Sequence, residues 1–85
     1  MVLPAQPARI MVIMRIEDVP LTGLPIRLAQ FLKLANLVES GSDAKAVVAS
    51  GDVDVNGEVE LRRGRQLVAG DVVSVGAASA RVVQG

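Results

Sequence analysis

The chain predicts an α+β domain in which two helices pack on one face of a small, mostly antiparallel β-sheet. Three observations carry this. Apolar residues recur at three- and four-residue spacing through residues 26–38 and again after Ser42. Apolar and acidic residues alternate on both sides of Asn56-Gly57, and two further Val-rich segments close the chain between glycine-bearing turns.

Residues 10–17, IMVIMRIE, are rich in Ile, Val and Met and too short for an ordinary helix, which predicts a strand. Ahead of it, Pro4 and Pro7 mark residues 1–9 as a flexible leader to a single domain over 10–85, with Met11 and Met14 as alternative starts. Residues 19–24 contain Pro20 and Gly23 and predict a loop. Pro25 then suits the opening turn of a helix, since its φ is already fixed and its missing N–H would be unpaired there. Helix one is expected over residues 26–38, with Leu28, Phe31, Leu32, Ala35 and Val38 on its buried face. Arg27, Gln30 and Lys33 fall on another face, which is either a binding stripe or the solvated flank of an amphipathic helix.

Residues 39–41 form the turn, and Ser42 is the expected cap of helix two. A capping box headed by Ser42 would place Glu or Gln at position 45. Lys45 stands there instead, in a turn where the dipole is already positive, at a cost of up to ~1 kcal/mol. Two readings are open: Lys45 and the exposed amides take an anion such as phosphate, or Lys45 pairs with a nearby acid. Helix two buries Ala44, Val47 and Val48 and stops at Gly51.

Asn56-Gly57 is a strong hairpin signal between residues 52–55 and 58–61. A two-residue turn would set Val55 opposite Glu58 and leave the two apolar rows on opposite faces. A three-residue loop over 55–57 would pair Val53 with Val59 on one face, and that register is expected. Asp52, Asp54, Glu58 and Glu60 would then form a solvated face. Residues 69–71 make a turn, followed by strands over 72–75 and 80–83.

Composition narrows the chemistry. The 85 residues contain neither Cys nor His. This removes disulfides, zinc sites built on those residues, thiol nucleophiles and every His-based general base. Walker loops, dinucleotide fingerprints, nucleophile elbows and metal-ligand spacings are absent from the sequence as well. A non-catalytic protein without cofactor or metal is the expectation. The apolar run over 10–14 falls far short of the ~20 residues a membrane span needs, and the lack of Cys suits a reducing cytoplasm. Nine basic and nine acidic residues cancel, so any polyanion surface must arise from local sorting of charge.

The densest local charge is Arg62-Arg63-Gly64-Arg65. Guanidinium forks match phosphate oxygens in pairs, and a glycine allows close backbone approach. The same arginines can instead bridge to Glu58 and Glu60.

The residues Arg27-Leu28 with Phe31-Leu32, then Ser42-Asp-Ala-Lys45, then Gly51-Asp-Val-Asp-Val-Asn-Gly57, then Gly70-Asp71-Val-Val, resemble the S-four RNA-binding domain. This αL-motif family is named for a small-subunit ribosomal protein. The resemblance covers residues 26–75 and is greatest to short stand-alone bacterial members, through Leu-Lys-Leu, Glu-Ser-Gly, Ala-Lys, and Asn-Gly-Glu-Val-Glu followed by Arg-Arg-Gly-Arg. It implies a two-helix αL motif on the sheet, binding structured RNA, ribosomal or transfer, through Arg27, Gln30, Lys33, Ser42, Lys45, Arg62, Arg63 and Arg65. Two departures stand out: Ala29 occupies a position that is usually acidic, and the net charge of zero predicts modest affinity. Phe31 is expected on the buried face, leaving no aromatic platform for unpaired bases, so recognition should go through backbone and shape.

Two other classes compete. A purely protein-binding adaptor would use the apolar N-terminal strand as an open edge for a protein partner. Ubiquitin-like sulfur carriers share Asn-Gly-Glu and a Gly-Asp-x-Val turn. They need a Gly-Gly terminus where this sequence reads Gln84-Gly85, and they do not place two helices before the hairpin.

Overall fold

The computed structural model describes residues 16–85. The leader over 1–9 and the greater part of the strand expected over 10–17 lie outside them. Element order is β1 (Ile16–Leu21), β2 (Ile26–Arg27), α1 (Leu28–Leu34), α2 (Gly41–Ala49), β3 (Val53–Val55), β4 (Glu58–Val59), β5 (Gln66–Leu67), β6 (Val72–Val75) and β7 (Ala78–Gln84). Five strands form one sheet in the order β1-β7-β6-β3-β4, antiparallel except where β1 runs parallel to β7, while β2 and β5 form a separate antiparallel pair. The expected α+β class is found.

The core is the interface between the helices and one sheet face. Register aligns Val55, Val73 and Ala80 across three neighbouring strands. Against this row pack Leu28, Phe31 and Leu32 of α1 and Ala44 and Val48 of α2, all buried. Burying an aliphatic or aromatic side chain fully is worth ~1.5–3 kcal/mol, so in a chain this short each of these positions matters.

Several boundaries differ from the sequence reading. The segment 19–24 is not wholly loop, because β1 continues through Val19, Pro20 and Leu21. Pro20 is tolerated because β1 is an edge strand of the sheet, where a missing N–H need not break a ladder. Pro25 does not open a helix: Ile26 and Arg27 pair with Leu67 and Gln66 as strands, and α1 begins only at Leu28. It also ends early. Asn36 adopts φ 59°, and the N–H groups of Asn36 and Leu37 donate to the carbonyls of Lys33 and Leu32 at 3.1 and 2.9 Å. This is a Schellman stop built on asparagine rather than glycine. At the end of α2, Gly51 (φ 78°) makes the same closure on Val48, with Asp52 on Val47.

The cap of α2 is Ser40, not Ser42. Its Oγ accepts from the N–H of Asp43 at 3.1 Å. Moving the cap back two residues puts the acidic Asp43 three positions beyond it, where a carboxylate suits the helix dipole, and moves Lys45 out of the first turn. The mismatch expected at Lys45 therefore does not exist.

The hairpin register is the other correction. Asn56 and Gly57 both take positive φ, 55° and 87°, so the turn has two residues, and Val55 pairs with Glu58 and Asp54 with Val59. Two consecutive left-handed residues give a turn whose twist matches that of the flanking strands. Because side chains alternate along a strand, the one-residue difference turns Val59 outward, 60% exposed, and Glu60 inward, 7% exposed.

Candidate nucleic-acid interface

Glu60 organises the arginine loop. The strand pairing continues past β4, with the Glu60 N–H donating to the Val53 carbonyl at 2.9 Å, which aims the carboxylate at the chain that follows. Its Oε2 accepts from the Arg62 backbone N–H at 3.0 Å and from Arg62 Nε at 2.9 Å. Its Oε1 accepts from Arg62 Nη2 at 3.2 Å and Arg65 Nη1 at 2.9 Å. These hydrogen bonds, led by the Arg62 side chain and then Arg65, outweigh burial and hold the Glu60 carboxyl down at about 2. The same contacts raise the Arg62 guanidinium further. Glu60 is thus not part of a solvated acidic face. The bridging reading of Arg62 and Arg65 is realised, with Glu60 their partner among the described residues and not Glu58.

The loop is also fastened to α1. Leu28 and Ala29, whose N–H groups have no acceptor inside the helix, donate to the carbonyls of Arg65 and Arg63 at 2.8 and 3.0 Å. The arginine loop therefore caps the helix with its backbone while its side chains point elsewhere. A hydrogen bond from the Arg65 N–H to the Arg62 carbonyl at 3.1 Å closes the turn.

The expected site residues fall into separate groups. Arg63 and Lys45 line one groove, floored by Val48, Ala49 and Leu61. Gln30 and Lys33 line another on α1, with Ile26 and Leu34. Arg27 occupies the cap position of α1 with an exposed side chain, and Ser42 is exposed in the first turn of α2 without a capping bond. Arg27, Lys33, Lys45 and Arg63 form no ion pair among the described residues, whereas Arg81 pairs with Asp18 at 2.8 Å. Phe31 is fully buried and cannot serve as a stacking platform.

From the sequence Glu60 reads as a bridging partner or a solvated acid, but not as the buried carboxylate that organises the loop. The signal lay in the hairpin: a two-residue Asn-Gly turn puts Glu60 in phase with buried Val53, two residues before one arginine and five before another. Among the described residues no group of three or more acidic side chains could hold a metal ion, and no helix is long and apolar enough to cross a membrane.

Comparison with known proteins agrees with this architecture. The S4 domain model matches residues 19–83. The chain is 50% identical over 50 residues to the probable ribosome maturation protein RlbA of Bacillus subtilis, covering 59% of this chain and 70% of that protein. It is 43% identical over 58 residues to YbcJ of Escherichia coli, covering 68% and 83%. The solution structure of YbcJ, described as revealing an αL motif involved in RNA-binding, superposes with a TM-score of 0.64 at 38% identity over 82% of this chain and 90% of that one. The ribosomal protein S4e of Thermoplasma acidophilum shares the fold at 24% identity and a TM-score of 0.50, over 64% of this chain and 27% of its own. With the family model spanning both helices, the hairpin and β7, this chain belongs to the S4 domain family.

Proposed function

We propose that the chain is a non-catalytic RNA-binding protein that takes structured RNA, ribosomal or transfer, by its phosphate backbone and shape. The observation that carries this is the pairing of Arg63 with Lys45 across one groove, on a loop whose backbone is bonded to α1. Two cations without acidic partners among the described residues, one on α2 and one on a loop bonded to α1, suit the phosphates of a folded RNA better than a flexible strand. Arg62 and Arg65 neighbour Arg63 in the loop, Gln30 and Lys33 line the second groove, and Arg27 and Ser42 are exposed near the starts of the two helices; we assign all of them to RNA contact. The described names of RlbA and YbcJ support an RNA partner. A cytoplasmic location, where ribosomal and transfer RNA reside, goes with this reading.

The test is equilibrium binding of ribosomal RNA fragments and transfer RNA at ~0.1 M salt by the parent, Lys45→Ala, Arg63→Ala and the double variant. Each single change removes one phosphate contact and should weaken binding several-fold, and the double change more, with a shallower salt dependence. Unchanged affinity in the double variant would reject this surface. Failure of the parent to bind either RNA would favour the adaptor reading.

A further inference from the structure

We propose that Glu60 is a positioning residue for RNA: a buried carboxylate whose charge is required for the arginine loop to present its guanidinium groups to phosphate. The inference rests on the RNA-binding reading and adds to it an acidic residue on which binding to a polyanion depends.

The hydrogen-bond inventory carries the argument. Arg62 has five N–H donors, of which Glu60 occupies those on Nε and one on Nη2. Three remain on the outer edge of a side chain that is 74% exposed. One edge of the guanidinium is therefore held by a fixed carboxylate while the other is free to take a phosphate. Arg65, 31% exposed, spends a single Nη1 donor on the same carboxylate. Glu60 also accepts the Arg62 backbone N–H, which fixes the start of the loop whose later carbonyls cap α1. An arginine that swings freely must surrender rotamer freedom when it grips phosphate, and here that ordering has occurred before RNA arrives. Being buried and already paired, the carboxylate presents little of its charge outward.

Simple electrostatics predicts the opposite result. A negative charge among cations should repel phosphate, so its removal should tighten binding and steepen the salt dependence by roughly one phosphate's worth. If Glu60 positions the loop, removal weakens binding although the protein gains a positive charge. An amide at this place would turn N–H groups toward a guanidinium that needs an acceptor.

The experiment measures binding of a labelled transfer RNA and a structured ribosomal RNA fragment to the full chain carrying Glu60→Gln, alone and combined with Arg62→Ala, with folding checked by amide NMR. The expected result is roughly five- to tenfold weaker binding for Glu60→Gln and a much smaller effect of the same change once Arg62 is gone. Binding as tight as the parent's, or tighter, overturns the proposal, as does an equal loss with and without Arg62. Should Glu60→Gln fail to fold, Glu60→Asp decides: it keeps the charge but is one methylene short of holding both arginines. Weaker binding at an unchanged salt dependence then supports the proposal, and parental affinity overturns it. Lys45→Ala and Arg63→Ala, which alter residues not bonded to Glu60, test the RNA reading separately. If they leave affinity unchanged, that reading fails on its own.

Discussion

Asn56 and Asp71, fifteen positions apart in the chain, are hydrogen-bonded, Nδ2 of Asn56 donating to Oδ1 of Asp71 at 3.0 Å. The other oxygens of the pair are used as well. Asn56 Oδ1 accepts the Val72 N–H, and Asp71 Oδ2 accepts the Val68 N–H, both at 2.9 Å. The Asn-Gly turn is thereby clipped to the Gly-Asp turn at the start of β6. Two of the segments that suggested the family are thus joined to each other by side-chain hydrogen bonds, a structural role.

Asp71→Ala should cost on the order of 1–2 kcal/mol in urea denaturation, because two hydrogen bonds are lost together. Asn56→Ala should cost more, since it adds a non-glycine, non-asparagine residue at φ 55°. Asn56→Gly separates the two effects by keeping the backbone conformation and losing only the side-chain bonds. If Asn56→Gly is as stable as the parent, the clip contributes nothing.

What was legible in the sequence was whatever depended on period and composition: the α+β class, two helices followed by the hairpin, and the buried set of Leu28, Phe31, Leu32, Ala44 and Val48. What was not legible depended on choices between near-equivalent neighbours. Ser40 and Ser42 are both good caps, and only the chain path selects Ser40. The hairpin register turned on whether Val59 or Glu60 would be buried. Apolar pairing favoured Val59, but a buried carboxylate with two arginine partners removes the penalty that would otherwise exclude it. Of the candidate site, the residue types were visible, whereas their division between two grooves required the structure.

The cap assignment has a direct check. Ser40→Ala should lower stability by ~1 kcal/mol through loss of the bond to the Asp43 N–H, while Ser42→Ala should leave it within a few tenths. Thermal or urea melts of the two variants decide it, and the reverse order would restore Ser42 as the cap.

Salt dependence separates the free cations from the bridged ones. Arg63→Ala should reduce the slope of log affinity against log salt by about 0.7–0.9, the share of one phosphate. Six basic side chains set an upper limit of six phosphates on the parent slope. A slope near zero in the parent would mean that phosphate contacts do not drive binding.

The buried carboxylate also sets an acid limit on stability. Glu60 titrates at about 2 in the folded protein, against 4.5 for the free group, so the folded state binds this proton more weakly than the unfolded state does. Its contribution is fully present above the free value and is lost as pH falls from about 4.5 towards 2. Over that window protonation releases Arg62 and Arg65 from a partner that accepts four hydrogen bonds. Glu60→Gln should therefore be less stable than the parent at neutral pH and approach it as the pH drops, because the variant has no proton to take up there. Urea midpoints at pH 7, 4 and 2.5 measure this convergence. A gap between the two proteins that stays constant across those pH values would mean that the Glu60 charge does not stabilise the loop.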